Sequence, residues 1–338
     1  MNRSYHNPRL PLSILLLSLA LLAVPTHAQE WTRFRGPNGN GVSGAKSIPS
    51  TWKKNDYSWI CKLPGKGHSS PVVWGDNVFV TSAESASFLV ICVSAAKGDI
   101  RWTRSIDYRG KKTHKNNSFA SSTPCVDAQR VYVLLQTKKE SPLLAYTHEG
   151  KLEWRIDLGA YNHGQGGATS PIVYEDLVVV SNDHGKGSFL AGYDRATGRE
   201  RWKIPRLGRR ACYSTPCVYR PQGGAPQLIF SHSFEGVSGH DPVNGRSLWM
   251  LDVFGRFSQR AIGSPFVSGE YVVTSSGARA GERNVVIVRP GSATSKSASE
   301  IFRVKKSAPH VPTPVAYKDW LFLWGDQGVV VCTDRKTG

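Results

Sequence analysis

The 338-residue chain carries 43 Lys and Arg against 25 Asp and Glu, a formal charge of +18, with 33 Gly, 20 Pro and 10 Trp but only 2 Met. Val and Thr fall in short runs, and beyond the N-terminus no sustained stretch of Leu, Lys and Glu occurs. This composition argues against a helical bundle and for many short strands joined by turns.

The first residues read as an export signal spanning 1–28. Arg3 and Arg9 form a positive region, "LPLSILLLSLALLAV" an apolar one, and "THA" before Gln29 offers small residues for cleavage. The apolar run is shorter than the ~20 residues that a membrane span needs, so a cleaved signal is expected, leaving no transmembrane segment. No Cys follows at the cleavage point, which argues against a lipoprotein. Export to the periplasm or beyond makes nucleic acid an unexpected partner despite the charge. A protein, an anionic glycan or a small anion fits better, and a generally basic soluble surface accounts for the same excess.

Residues 29–56 form an irregular leader rich in turn signals, expected to cross the bottom or side of the molecule. Trp31 and Phe34 could plug a groove there, although ordinary apolar anchoring of a tail explains them as well. From residue 57 the chain is repetitive. "SSPVVWGDNVFV" at Ser69 recurs at Ser121, Thr169, Ser214, Gly263 and Pro312, and the prolines of the six copies, Pro71, Pro124, Pro171, Pro216, Pro265 and Pro314, lie 53, 47, 45, 49 and 49 residues apart. Each copy continues with a second apolar run, a third, a Gly turn such as "ATGRE", and a strand carrying Trp102, Trp154, Trp202 or Trp249, with Phe302 in the fifth copy. Four strands in about 50 residues, joined by tight turns, make one blade of a β-propeller. The expected fold is therefore all-β: residues 57–338 form four-stranded antiparallel blades, five complete and a partial sixth.

Two pieces frame the repeat. "CTDRKTG" matches a third strand and its turn, so the chain is expected to stop inside its sixth blade. "YSWICKLPG" places Trp59 as a fourth strand with no blade before it, and residues 57–64 are expected to be available for ring closure. That strand could complete the sixth blade or belong to a later one.

The "SSPVVWGD" strand, the D-x-x-T-G-x-x-x-W pattern of "DRATGRERW" at Asp194 and the leader "WTRFRGPNGNGVS" at Trp31 carry a resemblance. The chain resembles the bacterial PQQ-like β-propeller repeat proteins, which share the quinoprotein-type repeat and are related to the BamB outer-membrane assembly propeller. The resemblance implies eight blades, and so a chain lacking the end of blade six and two more. It also implies two alternatives to a plain binding or scaffold module in the envelope: a PQQ- and Ca²⁺-dependent dehydrogenase of alcohols or sugars, or an outer-membrane assembly partner.

Six Cys in an exported chain invite disulfides. The repeat places Cys92, Cys125, Cys217 and Cys332 at core positions of different blades, and five residues of strand between Cys212 and Cys217 span roughly 16 Å, too far for a bridge. Buried free thiols are expected.

The loops entering each first strand should lie together on one face. They carry Lys66 and His68, His114 and Lys115, His163, Arg209 and Arg210, Arg256 and Arg260, and Lys306 and His310. A ring of such groups would grip carboxylate, sulfate or phosphate oxygens. Polar loops of a basic chain would hold the same residues without binding anything. The loops between second and third strands offer Glu84, Asp183 beside Asn182 and His184, Glu235 and Asp326. A quinone enzyme of this kind needs a catalytic Asp, a Ca²⁺ cage of oxygens and a stacking platform. No adjacent Cys pair is present and no cage can be assembled from one loop, so no cofactor and no metal are expected; PQQ and Ca²⁺ belong only to the dehydrogenase reading.

Overall fold

Each apolar run of the repeat becomes a strand. A computed structural model of the chain describes residues 30–46, 48–108, 113–255, 260–278 and 282–338; the signal, residues 1–28, lies outside the described residues, as does Arg256. Blade 1 comprises β1 (Val72–Trp74), β2 (Asn77–Glu84), β3 (Ser87–Ser94) and β4 (Ile100–Asp107), and blade 2 comprises β5 (Cys125–Val126), β6 (Arg130–Leu134), β7 (Pro142–Thr147) and β8 (Leu152–Asp157). Blade 3 holds β9 (Ile172–Tyr174), β10 (Leu177–Asn182), β11 (Phe189–Asp194) and β12 (Glu200–Pro205), and blade 4 holds β13 (Cys217–Tyr219), β14 (Gln227–His232), β15 (Gly236–His240) and β16 (Ser247–Leu251). Blade 5 is built from β17 (Phe266–Ser268), β18 (Tyr271–Gly277), β19 (Arg283–Arg289) and β20 (Ser299–Val304), and blade 6 from β21 (Val315–Tyr317), β22 (Trp320–Trp324) and β23 (Val330–Asp334). Every sheet is an antiparallel meander, five of four strands and one of three, as the repeat predicts. Among the described residues no helix is long and apolar enough to cross a membrane.

The repeated aromatic locks one blade to the next. In blades 2 to 4 it pairs across the ladder with a small residue, Trp154 with Ala145, Trp202 with Gly192 and Trp249 with Gly239, next to a break in register. A Cβ at Gly192 would stand 2.5 Å from the Trp202 ring, so the small partner is what lets the indole lie flat. The indole then crosses to the following blade. Trp102 Nε1 donates to His148 O at 2.7 Å, Trp154 Nε1 to Arg195 O at 3.0 Å and Trp202 Nε1 to Pro242 O at 2.9 Å. Each ring covers the Gly of the turn it meets, Gly150, Gly198 or Gly245, where a Cβ would clash and the φ of 81°, 72° or 72° already favours glycine. Blade 5 has no such short turn. There Gln227 relays the lock, accepting from Trp249 Nε1 at 2.6 Å and donating to Gly291 O at 3.0 Å.

Trp59 makes the same contact without a strand. Its Nε1 donates to Ala95 O at 2.7 Å and its ring covers Gly98, while Trp59 and Cys61 pack on Val80, Leu89, Ile91 and Val93 of blade 1. Residues 57–64 themselves form no ladder, contrary to the strand expected there. A strand needs a neighbour to pair with, and among the described residues no third strand lies beside this one; the aromatic dock persists because it needs only blade 1.

A second device runs along the first strands. The residue before each repeated proline carries a hydroxyl, and each hydroxyl accepts the backbone N–H of its counterpart one blade earlier. Ser70 N reaches Thr123 Oγ1 at 3.0 Å, Thr123 N reaches Ser170 Oγ at 2.9 Å, and Ser170 N reaches Thr215 Oγ1 at 3.3 Å. Thr215 N meets Ser264 Oγ at 2.9 Å and Ser264 N meets Thr313 Oγ1 at 3.0 Å. This belt joins all six blades, and apolar clusters fill the wedges between consecutive sheets outside it.

Residues 31–38 of the leader lie among the first strands. Trp31 bridges Val73 of β1, Thr32 O accepts from Val126 N of β5 at 2.9 Å, and Asn38 exchanges two bonds with Val218 of β13 at 2.8 and 2.7 Å. Arg33, 6% exposed, donates Nη2 to Pro216 O. Arg35 donates Nη2 to Pro314 O at 2.7 Å and Nη1 to Thr313 O at 3.3 Å, with its guanidinium over Phe266. Burial lowers both arginines to about 10. The plugging residues are thus Arg33, Arg35 and Asn38, because only long donors reach the row of carbonyls at the strand starts; Trp31 serves as an edge partner.

All six cysteines are free, with Cys92, Cys125, Cys212 and Cys217 buried. Cys332, expected in the core, is exposed. It pairs with Phe322 on the face of blade 6 that also shows Trp320 and Trp324, and no described residue covers that face, whereas Leu321 and Leu323 on the other side are buried against blade 5.

Replacing Thr215 by Val removes the acceptor of a buried N–H at constant shape, so T215V should lose about 1–3 kcal/mol in urea unfolding; unchanged stability would show that the belt contributes nothing. Arg35→Ala should selectively speed amide exchange in residues 315–334, measured by mass spectrometry, since Arg35 ties that blade to the leader.

Candidate functional site

Loops entering β9, β13, β17 and β21 meet loops leaving β10, β14 and β22 on one face. Four of the basic candidates group there. Tyr213 Oη lies 3.5 Å from His163 Nδ1 and donates to Gln165 Oε1 at 3.2 Å. Burial holds His163 below the ordinary imidazole range, and the nearby charges of Arg260 and Arg210 add to this. Arg260 exchanges backbone bonds with Gly277, and the Cα of His310 lies just beyond that glycine. His310 is also lowered by burial, and its backbone N–H donates to Asp326 Oδ2 at 2.9 Å.

The remaining cations spread along the rim. Lys66, His114, Lys115 and Lys306 are exposed, as is His68, whose Nδ1 lies 3.1 Å from Ser118 Oγ. Arg209 lays its guanidinium over Phe234, 5.7 Å from the ring centre. The structure therefore groups His163, Arg210, Arg260 and His310 and leaves Lys66, His68 and Lys115 exposed, while the His114 loop meets the His163 loop through His114 N and Gln165 O at 3.4 Å.

The four carboxylates do not converge. Glu84 is exposed at the end of β2, and Asp326 is held by Arg283 at 2.9 Å. Asp183 and Glu235 do meet, through Arg206, whose Nε stands 3.6 Å from Asp183 Oδ1 and 2.9 Å from Glu235 Oε2. The Arg206 side chain is 3% exposed and Asp183 is fully buried. Ser181 Oγ donates to Asp183 Oδ2 at 2.7 Å, and Tyr161 Oη donates to the Asp183 carbonyl at 3.1 Å. Tyr161 packs on His184, whose imidazole burial pushes below its ordinary range.

Two more groups complete this cluster and were not singled out as site residues from the sequence. One donor atom each of Asp183, Cys212 and His232 lies within 4.8 Å of the other two, and all three residues are buried. Cys212 Sγ lies 3.1 Å from Ser233 Oγ and accepts from Ser233 N at 3.3 Å. Burial, and then the Asp183 charge, push its thiol up to about 11. His232 accepts from Phe234 N through Nδ1, which faces Glu235 Oε2 at 3.9 Å, while its Nε2 has no partner. The available signal was positional: "VSNDHG" after β10 and "FSHSFEG" after β14 put Asn182 and His232 at equivalent strand ends.

The family model described as outer membrane protein assembly factor BamB matches residues 38–211 and 113–338. The chain belongs to that family of PQQ-like propeller proteins. No curated protein sequence matches it. Among solved structures, this BamB-like chain is similar to BamB from Moraxella catarrhalis, with 14% identity and a TM-score of 0.54 over 80% of this chain and 70% of that one. The quinohemoprotein alcohol dehydrogenase ADHIIG from Pseudomonas putida HK5 gives 12% identity and a TM-score of 0.61, over 88% of this chain and 57% of the enzyme. A europium-containing methanol dehydrogenase gives 13% and 0.57, over 83% and 58%. The chain thus spans little more than half of either dehydrogenase, and the likeness is one of fold.

The residues around Asp183 do not fit a calcium-bound quinone. Calcium takes six to eight oxygen ligands, whereas Asp183 is surrounded by a thiol, an imidazole and a guanidinium. No quinone step is derived for this BamB-like chain.

Neutral buried imidazoles make stability depend on pH. His240, bonded to Gly245 O at 2.8 Å, is lowered by burial to about 4. Below the unfolded value near 6.5 the unfolded chain binds more protons, so stability falls as pH drops from 6.5 towards 4. This one residue should cost roughly 2 kcal/mol between pH 7.5 and 5. Urea unfolding at both pH values should show a larger loss for the wild type than for H240Q.

Proposed function

We propose that the protein is an exported, non-catalytic binding module of the cell envelope whose loop face recognises acidic segments of partner proteins. One observation carries this reading. Glu235 and Asp326, carboxylates of that face, are held by Arg206 and Arg283, and the exposed Glu84 stands against four exposed cations, Lys66, Lys115, Arg209 and Lys306. The face therefore projects positive charge towards solvent, which steers acidic partners and confers specificity more than affinity. Family membership supports a protein partner in the envelope, as the description of BamB as an outer-membrane assembly factor indicates. The leader among the first strands supports a rigid disc with recognition in its loops.

The test uses a labelled polyglutamate peptide, with heparin as a glycan control. Wild type should bind the peptide with an affinity that falls as salt rises. Reversing Lys115, Arg209 and Lys306 to Glu should weaken binding about tenfold. Equal binding by the reversed protein, or retention of heparin alone, would overturn the reading.

A further inference from the structure

Two buried polar atoms able to offer a lone pair lack hydrogen-bond partners in the wedge between blades 3 and 4: Asp183 Oδ1 and His232 Nε2. Buried groups of this kind are ordinarily satisfied, and leaving each unmade costs about 1–3 kcal/mol. Their concentration at one place calls for an occupant. Three elements supply its donors: Asp183 follows β10, Cys212 lies in the loop entering β13, and His232 ends β14.

The donor set selects the class of occupant. A thiolate, an imidazole nitrogen and one carboxylate oxygen are ligands of a borderline divalent cation such as zinc, not of calcium or magnesium. Tetrahedral zinc, with bonds of about 2.0–2.3 Å, holds its donors about 3.5 Å apart, so atoms within 4.8 Å of one another close around it by side-chain rotation. Charge points the same way. With Cys212 as a thiol, Asp183 and Glu235 carry two negative charges against the single positive charge of Arg206, leaving a buried excess. A divalent cation that displaces the Cys212 proton to solvent brings the group to neutrality. The guanidinium, whose Nε stands 3.6 Å from Asp183 Oδ1 and 2.9 Å from Glu235 Oε2, moves onto Glu235 alone when the metal takes Asp183. For Nε2 to bind a metal the imidazole proton must sit on Nδ1, which then gives up the 3.3 Å bond from Phe234 N and turns towards Glu235 Oε2, 3.9 Å away.

We propose that Asp183, Cys212 and His232 form a binding site for a zinc-class divalent cation that pins blade 3 to blade 4. Three protein ligands leave a fourth position for a water or a hydroxyl, and Ser233 Oγ stands 3.1 Å from the sulfur. The site is separate from the basic rim and needs no quinone.

The experiment is refolding of the full chain with Zn²⁺ or Co²⁺, followed by native mass spectrometry and absorption spectroscopy. One metal per chain, a thiolate-to-cobalt charge-transfer band and a melting temperature about 5 °C higher with metal are expected. C212S should lose the band and the melting shift, and H232Q should reduce stoichiometry. C217S, which alters another buried thiol, should keep all three. Should C212S fail to fold, H232Q decides. Absence of bound metal in the wild type, or full binding by folded H232Q, would overturn the assignment.

Discussion

A hydroxyl one residue before each repeated proline is the contact on which the molecule turns. Proline fixes φ and offers no N–H, so the chain enters every first strand in the same extended way, and the preceding residue presents both its N–H and its hydroxyl. Blade after blade, that N–H finds the next blade's hydroxyl, from Ser70 to Thr313. A sheet fixed at its inner end in this manner can only fan outwards, and the wedge that opens between neighbours must be filled by large side chains. The aromatic locks do this at the periphery. Inner belt and outer lock together set the angle between blades, which neither could do alone.

Repetition of this kind leaves the axis and the loops free to vary. The axis is occupied by the leader, whose arginines bond to carbonyls left over at the strand starts. Loops on one face divide their labour. Around blades 3 and 4 they turn inwards and bury Asp183, Arg206, Cys212 and His232, while elsewhere they hold lysines in water. The first group has the low dielectric in which charges must be matched. The second group has the exposure in which long-range attraction acts but each contact is weak. Buried, charge-matched polar residues and exposed ones are thus separated within a single set of loops.

The blades were legible because their signals are local and repeated: proline, alternating apolar residues, glycine turn, tryptophan. Five complete units and a three-stranded sixth follow from them. What stayed hidden involves partners without a sequence signature. Arg33 and Arg35 bond to backbone carbonyls 183 and 279 residues away, and any residue type offers a carbonyl. Residues 57–64 carry a strand pattern, yet strand formation depends on a neighbour and not on pattern alone. Cys332 matches Cys92 in register, but burial is decided by what covers the sheet. Asp183 could be picked out from its loop, whereas Cys212 and His232 join it only once two blades are packed.

Synthesis runs at about 5–20 residues per second, and Arg35 precedes its acceptor Pro314 by 279 residues. The earliest structured segment to leave the ribosome therefore waits tens of seconds for the carbonyls that will hold it. Arg35 finds these acceptors only after Thr313 and Pro314 have been made, so a segment made early settles late.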